Sequence, residues 1–234
     1  MEVYATAIRE AFKLLTGGDV TVWPVIWLSL MVSGSAVAIA TVIGLPLGYA
    51  LGMSRFGGRG AIMILVNTAM GFPPVVVGLF VYMALSRSGP LGFLDLLFTP
   101  QGMIIAQVIL AAPLVIGVSA AAVAAVPRDL RYQLRALGAS RAQEGLAILK
   151  EVRGGIIVSI IAGFGAIISE VGAVSIVGGG IEGYTDVMTT AIMANVRRGE
   201  LSQATAWAMI LIGIALMVNI VLTTVQNTGV SYER

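Results

Sequence analysis

The chain has 234 residues, of which 58% are hydrophobic and 11% charged, with a net charge of +2 and a mean hydropathy of +0.96. Soluble domains carry roughly 25% charged residues, so this is an integral membrane protein, and its near-neutral charge gives no reason to expect nucleic acid. The sequence has neither Cys nor His, which removes disulfides, Cys/His metal sites and thiol or imidazole catalysis.

Residues 2–15 set Val3, Tyr4, Ala7, Ile8, Ala11, Phe12 and Leu15 on one helical face and Glu2, Thr6, Arg9, Glu10 and Lys13 on the other. The pattern, stopped by Gly17-Gly18, predicts an amphipathic helix within 1–21, lying on the membrane or packed on the bundle. A membrane-spanning region at 22–226 follows, with a first span at 22–51. Along it Ala36, Ala40, Gly44, Gly48 and Gly52 recur every four residues, a seam for close helix packing. Pro46 should bend its cytoplasmic end.

A short loop with Arg55 and Arg59 leads to a second span at 61–86, broken by Gly71-Phe72-Pro73-Pro74. The prolines have no N–H, so the carbonyls of Ala69 and Met70 lose their helical partners. Free backbone groups at membrane depth are tolerated against protein or a watery cavity. The helix restarting at Pro74 turns a positive dipole end back along the segment. Gly71, Pro73 and Pro74 are therefore candidates for lining or gating a path, with an inert kink as the alternative.

Ser88-Gly89-Pro90 opens an external loop that ends near Pro100. A third span at 102–126 carries Gln107 and Pro113, and a fourth at 154–177 carries Glu170, the one carboxylate inside any expected span. At ~1.5 Å per residue Glu170 lies roughly 24 Å along that helix, in the outer half. An intramembrane acid is a functional candidate by default. A structural pair, or a protonated acid donating a hydrogen bond, is the alternative. Glycines 178–180 and Gly183 end this helix, and 186–198 reads as a short amphipathic helix closing on Arg197-Arg198. A fifth span at 204–225 and a tail at 227–234 complete the chain.

Between the third and fourth spans, residues 127–153 form the long polar interruption. It holds six of the fourteen Lys and Arg residues: Arg128, Arg131, Arg135, Arg141, Lys150 and Arg153. With Gly138-Ala139-Ser140 at its centre, it reads as a solvated basic helix with a glycine at its midpoint. Such a helix either docks a partner or only fixes orientation. Five spans put nine Lys and Arg on its side and five on the other. That places the N-terminus outside and the C-terminus in the cytoplasm. The two lysines, Lys13 and Lys150, follow Phe12 and Leu149, so no Gly-Lys-Ser/Thr phosphate loop exists. Any ATP-driven work needs a motor on another chain.

Leu137-Gly138-Ala139-Ser140, in a basic cytoplasmic stretch before the penultimate span, resembles the EAA loop of ABC importer permeases. The flanks differ: Tyr132-Gln133-Leu134 replace Glu-Ala-Ala, and Lys150-Glu151 replace Leu-Pro. Phe164-Gly165 through Ser169-Glu170-Val171-Gly172-Ala173, with Gly178-Gly179, is similar to the importers of molybdate, tungstate and sulfate. Residues 71–78 (GFPPVVVG), Ser88-Gly89-Pro90-Leu91-Gly92 and Ala106-Gln107 look most like the tungstate-type permeases.

The resemblance covers the chain beyond about residue 25. It implies an all-α type I ABC importer transmembrane domain in the prokaryotic cell membrane. This would be a homodimer served by two ATPase subunits, which carry the ATP and Mg, and by an extracytoplasmic binding protein; the chain itself holds no cofactor or metal. The importer would take up tungstate or a similar oxyanion. Gly138 would let a coupling helix sit close to the ATPase, with Leu137, Ala139 and Ser140 at its core and Arg131, Arg135 and Arg141 as its rim. Gly71, Pro73, Pro74, Gln107 and Glu170 would line or gate the path, Glu170 as a structural or gating group. Arg197 and Arg198 would meet the binding protein or attract the anion. Two other readings stand beside it. One is an ion-coupled secondary transporter using Glu170. The other is a membrane enzyme with Glu170 as acid/base, for which the sequence offers no second catalytic group.

Overall fold

The computed structural model describes Arg9, Leu14, residues 22–54 and residues 56–230. Apart from Arg9 and Leu14, the amphipathic helix expected within 1–21 lies outside them, as do Arg55 and residues 231–234. The described residues fold into helices joined by turns. These are α1 Val22–Met53, α2 Arg59–Met70, α3 Pro74–Leu85, α4 Pro100–Ala124, α5 Arg128–Ala136, α6 Arg141–Glu151, α7 Arg153–Ile168, α8 Gly172–Gly178, α9 Met188–Arg198 and α10 Leu201–Val230, with one 3-10 turn at Gly92–Leu94. Helices α1, α4 and α10 are each long and apolar enough to cross a membrane. The pairs α2–α3 and α6–α7 also pass together but bend by 99° and 62°.

The scaffold is the α1–α4 pair, and the four-residue spacing of small residues explains it. Ala36 and Ala40 are fully buried against Ala111, Val115, Phe164 and Ile167. Further along, a Cβ added at Gly48 would stand 2.0 Å from Ser119 Oγ and 2.8 Å from the Ile116 carbonyl, and one at Gly52 would stand 2.6 Å from Val123 Cβ. The backbones approach as closely as glycine permits. Around this seam, Val22, Val25 and Ile26 pack on Met188, Ala191, Trp207 and Ile210 at one end. At the other end Val123 and Val126 hold Ile148 and Val152 of the α6 region. Helices α3 and α8 share a third cluster, with Val77, Val81 and Leu85 against Ala173 and Val177. Large apolar side chains such as Val42, Leu65, Phe80, Ile212 and Met217 stay exposed, as lipid or a partner chain requires.

Three expectations are corrected. The basic stretch is two helices, because Gly138 takes φ +81 and ends α5 before Ser140 starts α6. The fourth span does not run unbroken, because the helix stops at Ile168 and restarts at Gly172. At the second break the Ala69 carbonyl is not orphaned, since the Phe72 N–H donates to it at 3.2 Å.

The seam makes a direct prediction. Gly48→Ala forces a methyl against the Ile116 carbonyl, and overpacking of this kind costs about 1–3 kcal/mol. Thermal unfolding of the purified protein should show a lowered Tm. Gly213→Ala, with nothing within 4 Å of the new Cβ, should leave Tm unchanged or slightly raised.

Candidate functional site

The α5–α6 hairpin is built by local chemistry. Gly138, in the left-handed region that favours glycine, donates its N–H to the Arg135 carbonyl at 3.0 Å, and Ala139 donates to Leu134 at 3.0 Å. Ser140 then caps α6: its Oγ accepts from the Gln143 N–H at 3.3 Å, and Gln143 Oε1 accepts from the Ser140 N–H at 2.8 Å. This reciprocal pair is a capping box. Across the turn the Arg135 guanidinium grips Glu144 through Nε at 3.0 Å and Nη2 at 3.1 Å. That hydrogen-bonded cation holds the Glu144 carboxyl below the ordinary carboxylate range.

The apex is left with Leu137, 84% exposed. This side chain stands out in solvent at the tip of a charged hairpin. Arg135, Leu137, Gly138, Ala139, Ser140 and Arg141 thus cluster at this tip. Arg131 does not join them: its Nη2 turns inward to the Val123 carbonyl at 3.1 Å, closing the C-terminal end of α4 as a cation does well.

The second group of candidates centres on two helix breaks. Pro73 supplies the extended residue before α3, and Pro74 starts it, where a missing N–H does no harm. Gly71, Pro73 and Pro74 lie exposed on this bend. Ninety-odd residues later the chain breaks again at 169–171, and the two breaks lie side by side. A Cβ on Gly172 would meet Val75 Cγ2 at 2.5 Å, and one on Gly78 would meet the Ala173 Cα at 2.6 Å. The starts of α3 and α8 therefore touch through backbone.

Glu170 sits at this junction, 8% exposed. Its Oε1 accepts the Ala173 N–H at 3.0 Å and its Oε2 the Val174 N–H at 3.2 Å. The two side-chain oxygens cap α8 by satisfying two of its first N–H groups. Thr189 Oγ1 donates to the Glu170 carbonyl at 3.1 Å. Gln107 is buried nearby and donates Nε2 to the Ile167 carbonyl at 3.1 Å.

Arg197 and Arg198 lie apart from both groups, at the exposed C-terminal end of α9, which Gly199 closes at φ +78. Arg198 stands 4.0 Å from Glu200. Close by, burial pushes the Asp186 carboxyl up. Sequence reasoning missed Thr189, and quoted Gly78 and Gly172 only within motifs, without their packing role. Those two carried a signal in glycines that no turn requires.

The architecture is shared with solved ABC importers. The inward-facing MetNI methionine ABC transporter aligns at a TM-score of 0.71 and 16% identity, over 91% of this chain and 99% of the other. A bacterial ABC transporter involved in the import of the acidic polysaccharide alginate aligns at 0.72 and 19%, over 94% and 83%. The fold is that of an ABC importer transmembrane domain.

Residues 44–229 match the binding-protein-dependent transport system inner membrane components, and the chain belongs to that family of multi-pass transport permeases. It is 38% identical to the tungstate uptake system permease protein TupB of Peptoclostridium acidaminophilum, over 97% of this chain and all (100%) of that one. The TupB of Campylobacter jejuni is 34% identical over 94% and 92%. A probable anion ABC transporter permease protein of Haloferax volcanii is 44% identical over 82% and 84%.

The capping geometry predicts a graded response at Glu170. A Gln side chain presents one acceptor oxygen in place of two, leaving one buried N–H unpaired, and Ala leaves two. At roughly 1–3 kcal/mol for each unpaired buried group, Tm should fall in the order Glu, Gln, Ala. Equal Tm values for all three in purified protein would remove the capping role.

Proposed function

We propose that this chain is the permease subunit of an ATP-driven importer of tungstate or a similar tetrahedral oxyanion. In this reading it works as a homodimer with a cytoplasmic ATPase pair and an extracytoplasmic binding protein. The observation that carries it is the α5–α6 hairpin: Leu137 exposed at its tip, Arg135 clamped to Glu144 beneath, and α7 beginning two residues after α6 ends. An apolar tip on a braced hairpin fits a groove on a partner and passes displacement into the membrane. The TupB relatives, which align along nearly the whole chain, support tungstate as the first substrate to try; molybdate and sulfate follow.

In this assignment the hairpin lies in the cytoplasm, the side that its basic residues favour, and Arg197 and Arg198 face the outside near the binding protein. Gly71, Pro73 and Pro74 line or gate the path at the exposed bend of the second span. Gln107 and Glu170 support it from within, because both are buried among helices. The ion-coupled alternative uses Glu170 as an ion site, whereas here each of its oxygens already accepts one backbone N–H, which fits a structural role.

Co-purification with candidate ATPase and binding-protein partners, followed by ATPase assays with the three anions, tests the assignment. Stimulation by tungstate-loaded binding protein is the expected result. Anion uptake by this chain alone in ATP-free vesicles would overturn it. Leu137→Ala should leave the Tm of the isolated permease unchanged, because the side chain touches solvent. It should weaken ATPase association about tenfold or more, as loss of a central anchor does.

A further inference from the structure

The Gln107 amide is half used. Its Nε2 donates to the Ile167 carbonyl, yet its Oε1, sealed from solvent, accepts from no group among the described residues. Flipping the amide would set the oxygen against the Ile167 carbonyl, so the orientation is fixed. Beside it lies a small cavity with Ser33 of α1, Gln107 of α4, Glu170 and Thr189 among its walls. Ser33 is 3% exposed. The space open to a water's centre is ≈ 10 Å³, enough for one molecule and far too little for an oxyanion.

We propose that one structural water occupies this cavity and bridges Gln107 to Glu170. A water carries two donors and two acceptors. One donor meets Gln107 Oε1, and the other meets a free lone pair of the Glu170 carboxylate, whose oxygens each hold one N–H. The Ser33 hydroxyl donates to the water's oxygen. A bare divalent cation would need about six oxygen ligands, more than these walls offer.

The bridge gives Gln107 a positioning role. Its N–H holds the last turn of α7, and its carbonyl, through the water, holds the carboxylate that caps α8. The angle between the two halves of the fourth span is then fixed from α4 and α1, on the far side of the break.

Ser33→Val tests the site, because it adds methyl volume to the cavity without touching the groups that cap α8. In the full chain in lipid nanodiscs, displacing a bound water leaves Gln107 Oε1 without a donor and Glu170 with only its two backbone donors, and Tm should fall. The fall should shrink in a Gln107→Leu background, where the main acceptor is gone. An unchanged or raised Tm, as expected on filling a dry hole, overturns the proposal. Should Ser33→Val fail to assemble, the wild-type protein decides, in a map that resolves ordered waters. Density within hydrogen-bonding distance of Gln107 Oε1 and Glu170 supports the bridge. Its absence, with other buried waters visible, rules the bridge out.

Discussion

A backbone N–H at bilayer depth must find a partner within the protein, because hydrocarbon offers none. This structure interrupts two spans and meets that demand differently at each. At α3 the demand is reduced, since Pro73 and Pro74 have no N–H to satisfy and the Val76 and Val77 N–H groups donate to the Pro73 carbonyl. At α8 the first N–H groups exist, and the Glu170 carboxylate takes two of them. A polar group that would be costly in the membrane is thereby made useful, because its burial is compensated by directed bonds. This cap supports the contact between the two breaks, together with the Glu170 N–H to Ile167 bond and the Thr189 bond to the Glu170 carbonyl.

The cap also explains why glycine is needed where α3 and α8 meet. Gly78 lies against Ala173, and Gly172 lies against Val75. In both cases a side chain would push apart helix starts that are held by hydrogen bonds and cannot slide freely. The α1–α4 seam follows the same logic over a longer distance, with Gly48 and Gly52 clearing a path for the Ile116 and Ala120 carbonyls. The bundle therefore has one rigid ridge and, packed beside it, one paired break.

What could be read from the sequence follows from how local each device is. The seam was legible because small residues at a four-residue spacing need only the helix period. The second-span break was legible because Gly-Phe-Pro-Pro breaks a helix wherever it occurs. The break at Glu170 was not, because the residue that makes it possible reaches forward with its own side chain, and Ser-Glu-Val-Gly in an apolar run reads as continued helix. The hairpin was half legible. Gly138 as a stop and Ser140 with Gln143 as a capping box were both present, but the surrounding helix formers suggested one helix. Arg135 finds Glu144 across a turn, and Gln107 finds Ile167 sixty residues away. No periodicity announces such pairs. Arg131 looked like its neighbours in sequence and differs only because the α4 end lies within its reach.

The hairpin and the Glu170 joint are two ends of one helix. α7 has 16 residues, about 24 Å at 1.5 Å per residue. It starts beside Val152, packed on Val123 and Val126, and ends at Ile167 and Ile168, packed on the seam. At the far end the Gln107 amide ties its last turn to α4, and α4 is locked to α1 by approaches too close to shift without separating the helices. A push on the hairpin that tilts α7 must therefore do one of two things. It carries α1, α4 and α7 together as a body, or it strains the bond between Gln107 and Ile167 and so acts on the cap of α8. The tightness of the seam favours rigid motion of those three helices. The three-residue break at 169–171 is then where that body meets α8 and α3, and the bonds made by Gln107 and Glu170 set the angle between them.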